Sequence, residues 1–207
     1  MTTIAIIGLG NMGKGLAKRL AGKTDLLLGS RNSDAAKAFA ATLDGTAEVL
    51  DQAKAAARAD IVVLALPYGP ALEFARDTDL AGKIVVDISN PLKPDYSGLT
   101  IGHTTSAAEE LQAVAAGARL VKAYNTIFAA LLEVPAAQTA SIPVFLAGDD
   151  EAAIAAVEQL VRTSGFAVEK TGPLDTARLV EPLGMLNIRL GYHMGRGTGI
   201  APAWQAA

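Results

Sequence analysis

The chain has 207 residues, 51% of them hydrophobic, with 18 Lys and Arg set against 21 Asp and Glu for a net charge of −3. That length allows one domain with a proper core and excludes two large ones, and with no long run of either charge there is no footprint for nucleic acid. Cysteine is absent, which excludes disulfides, thiol nucleophiles and thiolate metal centres, while His103 and His193 are too far apart in sequence to found a zinc site.

Short apolar, β-branched runs alternate with alanine-rich stretches of helical period, the signature of βαβ units and a parallel sheet. The first run, Thr3–Ile7, reads as a strand with no basic segment before it, so no secretory leader is expected. Nowhere do 18 apolar residues run together, so no membrane span is expected either, and the reading is of a cytoplasmic protein. Gly8-Leu9-Gly10-Asn11-Met12-Gly13 follows that strand and opens a helix over Asn11–Leu20. In this setting the three glycines have separate tasks: a tight turn, close approach of backbone to a pyrophosphate, and close packing of helix on strand. The amides at the helix start, reinforced by its dipole, then hold the anion. The same stretch also opens like a nucleoside-triphosphate loop, but Gly15 stands where a hydroxyl would bind magnesium. Lys14 is therefore read as an exposed helix residue.

The second strand, Leu26–Gly29, ends in Ser30-Arg31 with no acid. A carboxylate there would accept hydrogen bonds from the ribose hydroxyls of NAD, whereas a hydroxyl and a guanidinium suit the 2′-phosphate of NADP. A helix over Ser33–Thr42, a weak strand at Ala47–Val49 and a helix over Asp51–Arg58 follow. The strand Ile61–Leu66 is closed by Pro67 and leads into a helix over Pro70–Asp77. The strands Ile84–Asp87 and Leu120–Ala123 end in the small amide and hydroxyl groups of Ser89-Asn90-Pro91 and Asn125-Thr126, which can bond a carboxamide beside a flat ring. Between them Ser106 and Glu109 fit a capping box for a helix over Ala107–Ala116. A helix over Asp149–Ser164 separates the strands Val144–Ala147 and Ala167–Glu169, and the last helix, Leu174–Leu190, is expected to break at Pro182. Arg178 and Glu181 have the spacing of a surface pair, and Leu179, Leu183 and Leu186 read as core or interface. The whole, residues 1–207, is taken as a single α/β domain. It is a Rossmann-like, doubly wound, mostly parallel sheet with a small C-terminal helical extension and a soft boundary near Glu133.

These motifs, together with Ala147-Gly148-Asp149-Asp150 and Gly172-Pro173-Leu174, resemble over nearly the whole chain the NADP oxidoreductases dependent on the deazaflavin coenzyme F420. They are also similar to the reductase domain of the six-transmembrane metalloreductases. The resemblance implies an NADP site at Leu9 to Met12, Ser30 and Arg31, with Leu66, Pro67, Tyr68 and Ala71 along the cofactor and Asn125 to Ile127 beside the nicotinamide. It implies direct hydride transfer between nicotinamide and a stacked deazaflavin, with no obligatory acid or base, so no catalytic residue is assigned. The deazaflavin reductases carry His at the position of Asn125, Thr at that of Leu9 and a lysine early in the helix after Arg31, for which Lys37 is the substitute here. A small-molecule acceptor, F420 or a flavin, and a homodimer are expected. Two further readings stay open: an NADP(H)-sensing or partner-binding module without turnover, and an imine or hydroxyacid reductase in which Lys122 or an unassigned group serves as the acid.

Overall fold

Successive residues of β1 (Thr3–Ile7) point to opposite faces of a sheet, and both faces are covered: Ile4 and Ile6 enter one apolar cluster, Ala5 and Ile7 another. That is the burial expected of a central parallel strand with helices on either side. The computed structural model describes residues 2–205. Its strands continue with β2 (Asp25–Gly29), β3 (Ala47–Leu50), β4 (Ile61–Leu64), β5 (Ile84–Asp87), β6 (Arg119–Lys122), β7 (Pro143–Gly148) and β8 (Ala167–Gly172). They form one eight-stranded sheet in the order β3-β2-β1-β4-β5-β6-β7-β8, in which every neighbouring pair is parallel except β6 and β7. The helices are α1 (Asn11–Leu20), α2 (Ser33–Ala40), α3 (Gln52–Arg58), α4 (Tyr68–Asp77), α5 (Ala107–Val114), α6 (Ala130–Glu133), α7 (Ala136–Thr139), α8 (Glu151–Thr163) and α9 (Ala177–Ile188). One cluster takes Leu16 and Leu20 of α1 with Val157 and Leu160 of α8, and the other takes residues of α3, α4 and α5. The chain winds outward from β1 through β2 and β3, then returns to start β4 on the other side of β1. A crevice opens at such a reversal, beyond the carboxyl ends of the strands.

The sheet does not stop at Glu133. β7 runs antiparallel to β6, and β8 then pairs parallel with β7. A buried guanidinium ties this end to the first helix. Arg19 of α1 donates from Nε to Leu132 O (2.9 Å), from Nη2 to Leu131 O (2.8 Å) and Val134 O (2.6 Å), and from Nη1 to Ser164 O (3.2 Å) and Thr139 Oγ1 (3.3 Å). All five of its N–H donors are thereby used.

Several elements differ from their sequence reading. β4 ends at Leu64 because the next residues leave the ladder to form the turn into α4, which starts at Tyr68. β8 extends three residues further, through Lys170 to Gly172, because an edge strand that is half exposed needs no apolar run. Pro182 does not break α9: the helix is continuous from Ala177 to Ile188, with the buried Glu181, Gly184 and Asn187 holding it on both sides of the missing donor. Of the leucines read as core or interface, Leu179 and Leu186 are 72% and 51% exposed, which removes the first of the two readings for them. The buried face of α9 carries instead the small and polar side chains. Ser106 caps α5 by accepting from the Glu109 amide (3.2 Å), but the Glu109 carboxylate takes the Ser106 hydroxyl (2.8 Å) and the Arg178 guanidinium instead of closing the box on backbone. No described helix is long and apolar enough to cross a membrane.

Candidate functional site

Gly8 turns the chain out of β1 at φ +99°, and a Cβ there would lie 2.5 Å from the Ala65 carbonyl oxygen. Gly13 packs so closely under the Gly8 carbonyl that a Cβ would overlap it. At Gly10 a Cβ would meet nothing within 4 Å, because that residue borders open space. The space is a cleft of about 380 Å³ lined by Gly8, Leu9 and Gly10, by Ser30, Arg31 and Asn32, and by Ala65, Leu66 and Pro67, with Lys14 and Gln52 among the remaining walls. Two cations and no acid line it.

Helix ends show what the cleft is suited to hold. α2, α3, α5 and α8 are capped by the side chains of Asn32, Asp51, Ser106 and Asp150. α1 and α4 begin at Gly10 and Pro67 on the cleft and have no side-chain cap; nor do the one-turn helices α6 and α7, or α9, which continues from a preceding 3-10 turn. First-turn amides left without a partner are anion sites, so the missing caps fit a ligand that brings its own phosphate oxygens. At the end of β2 the Ser30 hydroxyl accepts from the Asn32 amide (3.1 Å), while Asn32 caps α2. This turn leaves Arg31 exposed on the cleft wall, with no ion pair among the described residues.

A second cleft, of about 280 Å³, lies on the other side of the α1 start, where Asn11 and Met12 line it together with Asn90, Asn125, Thr126 and Ile127. Tyr124 leaves β6 with φ +56°, a left-handed conformation uncommon outside glycine, and is fixed by its buried ring: its hydroxyl is 2.9 Å from Ser164 Oγ. The turn delivers Asn125 beside Asn90. Asn90 Nδ2 donates to Asn125 O (2.7 Å), and Asn125 Nδ2 donates to Asn90 Oδ1 (3.0 Å) and to Val180 O (2.9 Å). With both amide hydrogens of Asn125 used, its Oδ1 is left buried without a partner, as is Thr126 Oγ1. Buried polar atoms without partners are uncommon; among the described residues Ser89 Oγ, on neither cleft, is a third, and the two whose residues share one cleft wall fit a ligand that supplies the missing bonds. No carboxylate, amine or imidazole lines this cleft.

Of the residues singled out from the sequence, Gly8, Leu9, Gly10, Ser30, Arg31, Leu66 and Pro67 share the first cleft and Asn11, Met12, Asn90, Asn125, Thr126 and Ile127 the second. Four line neither. Gly13 lies beneath the loop, Ala71 is fully buried, and Pro91 is buried with its carbonyl accepting from Thr100 N (2.7 Å). Tyr68 bonds its hydroxyl to Glu110, and burial, with that carboxylate, pushes the phenol pKa up. His103 stands exposed on a groove of about 620 Å³ between residues 99–105 and Pro182 and Met185 of α9. Lys37 lines neither cleft.

Lys122 does not face the site. It is fully buried, with Nζ 2.7 Å from Asp87 Oδ2, 2.6 Å from Ser89 O and 2.8 Å from Glu181 Oε1. Glu181 also accepts from the Ala107 and Ala108 amides at 3.0 and 3.2 Å, at the start of α5. It is therefore no surface partner of Arg178, which pairs with Glu109. Burial pulls the Lys122 pKa down, but the two carboxylates outweigh it and hold the ammonium above its ordinary range. A proton held this way is poorly placed to be given to a substrate.

Lys14, read as an exposed helix residue, is exposed on α1, and sequence reasoning missed the contribution of α9. A Cβ on Gly184 would lie 2.8 Å from Asn125 O and 2.9 Å from Asn90 Nδ2, so glycine lets α9 press against the asparagine pair. Asn187 donates to Thr126 O (3.1 Å). The available signal was the shared helical face of Glu181, Gly184 and Asn187, opposite the leucines.

The family profile described as NADP oxidoreductase coenzyme F420-dependent matches residues 3–91. The F420-dependent NADP reductase of Methanocaldococcus jannaschii is 31% identical over 217 residues, an alignment that takes in 95% of this chain and 96% of that one. Metalloreductase STEAP3 of Rattus norvegicus is 32% identical over 184 residues, 87% of this chain. The chain spans only 36% of that relative's length. A crystal structure of a candidate F420-dependent NADP reductase from Arthrobacter sp. FB24 has a TM-score of 0.80 and 31% identity, covering 96% of this chain and 97% of the other.

Proposed function

The chain belongs to the family of coenzyme F420-dependent NADP oxidoreductases, and on that premise we propose that it exchanges hydride between NADP(H) and coenzyme F420. One observation carries the reading: two clefts meet across the uncapped start of α1, one walled by cations and the other by buried polar atoms that lack partners. The amides from Gly10 to Gly13 hold the diphosphate, Ser30 and Arg31 take the 2′-phosphate, and Asn125 Oδ1 with Thr126 Oγ1 receives the carboxamide. When both partners are bound, NADPH gives up a hydride to become NADP+, and F420 takes that hydride with one proton from water; the reverse reaction balances in the same way. The chain's residues contribute alignment and exclusion of water, in keeping with a second cleft whose titratable side chains, among the described residues, are the phenols of Tyr96, Tyr124 and Tyr192, with no carboxylate, amine or imidazole. The groove beside Pro182 and Met185, one position along α9 from Gly184, is where we place the acceptor.

Mixing the protein with NADPH and F420 should bleach the visible absorbance of the deazaflavin in step with NADPH oxidation, and FMN in its place should give little turnover. Saturable NADPH binding with no turnover on either acceptor would favour a nucleotide sensor over an enzyme.

Two glycine variants separate folding from binding. Gly10→Ala should leave the melting temperature unchanged and weaken NADPH, because its methyl group projects only into the ligand's space. Gly13→Ala should lose about 1–3 kcal/mol of stability by overpacking against the Gly8 carbonyl, as well as weakening binding. Thermal melts beside NADPH titrations of both variants check this, and equal melting temperatures would count against the tight packing.

A further inference from the structure

Lys14, an exposed residue of the first helical turn by its place in the sequence, is on the cleft wall with Ser30, Arg31 and Asn32. Its side chain reaches from α1 toward α2, where Nζ lies 5.6 Å from the centroid of the Phe39 ring. That direction leads away from the α1 amides to the far end of α2, where Phe39 is the penultimate residue, so reaching Arg31, which precedes the start of α2, requires the side chain to swing back along that helix. Some exposed cations are paired, Lys18 with Glu133, Arg58 with Glu48 and Lys170 with Glu158, whereas Lys14 and Arg31, like Lys37, Lys54 and Arg76, have no carboxylate partner among the described residues; what sets these two apart is that they share one cleft wall. An aromatic face is a weak resting place for an exposed ammonium, and a dianionic phosphate between two cations is a stronger one.

We infer that Lys14 is a second specificity-determining residue of the dinucleotide site, leaving the Phe39 ring to share the 2′-phosphate of NADP(H) with Arg31. This rests on the assignment of the cleft to NADP(H). Lysine suits the role because a long flexible stem carrying a point charge can reach a phosphate that the planar guanidinium holds from another side. With Arg31 at the end of β2 and Lys14 on α1, the phosphate is gripped from both walls, so NADP is preferred over NAD by two contacts instead of one.

The test is equilibrium binding of NADPH and of NADH, by calorimetry or fluorescence titration, to the full-length protein and its Lys14→Met and Lys14→Arg variants. Methionine keeps a linear stem against Phe39 and removes the charge. Lys14→Met should weaken NADPH about tenfold and NADH less than about twofold, Lys14→Arg should restore most of the loss, and the NADPH effect should shrink as salt is raised. Equal losses for the two dinucleotides would assign Lys14 to the diphosphate, and no loss for either would return it to the solvated surface; both overturn the inference. Wild-type protein that fails to prefer NADPH over NADH would instead overturn the NADP assignment itself, and this inference with it.

Discussion

Lys122→Met is expected to destabilise the protein by about 3–5 kcal/mol, the cost of leaving buried charge without its partner. The ammonium sits between the Asp87 and Glu181 carboxylates, all three groups being almost wholly shielded from solvent. Removing it leaves two like charges enclosed, supported only by the Ser89 amide on Asp87 and by the α5 amides on Glu181. Chemical denaturation of the variant beside the wild type measures the loss. Adding Asp87→Asn and Glu181→Gln should recover part of it, because neutral amides do not repel. The pH dependence follows from the raised Lys122 pKa. The stabilisation is fully present below the ordinary lysine value and is lost only as pH rises through the higher folded value, so neutral and mildly alkaline buffers should leave it intact. A variant as stable as the wild type would show that the triad contributes nothing net to folding.

The second large effect concerns cofactor choice. Arg31→Ala should weaken NADPH about 10- to 100-fold and NADH much less, since a charge-assisted, two-pronged contact to the 2′-phosphate is lost while the glycine loop is untouched. Arg31 is exposed and packs no core, so a melting temperature equal to that of the wild type is expected alongside. Parallel titrations with both dinucleotides decide it. Equal losses would mean that the guanidinium reads something common to the two cofactors.

The parts of the fold that were legible in the sequence are those where burial leaves a local mark. β1, β4 and β5 are buried on both faces and read as unbroken apolar runs, and the glycine loop announces itself because backbone geometry forbids other residues at Gly8 and Gly13. β3 and β8 lie at the sheet edges, half exposed, so their residues carry a faint signal and β8 was read short. The last helix misled for a different reason. Hydrophobic patterning assumes that the leucine face is inward, but α9 turns Glu181, Gly184 and Asn187 to the protein because the site and the α5 start need polar partners. Spacing made Arg178 a partner for Glu181, whereas the actual partner, Lys122, is 59 residues away along the chain. Charge pairing across such a distance has no local signature. In the same way the amide groups at the ends of β5 and β6 could be identified as candidates, but the unpaired Asn125 Oδ1 emerges only once its other bonds are counted.

The Arg19 clamp bears on how this architecture can be cut and recombined. The glycine loop and Arg31 lie among the early strands, yet the first helix keeps a guanidinium whose acceptors come from residues 131–164. A fragment ending after β6 would retain every glycine of the loop and strand a charge on the underside of α1. The nucleotide-binding half is thus no portable cassette, and a chimera that borrows it must also import the later carbonyls or replace the arginine.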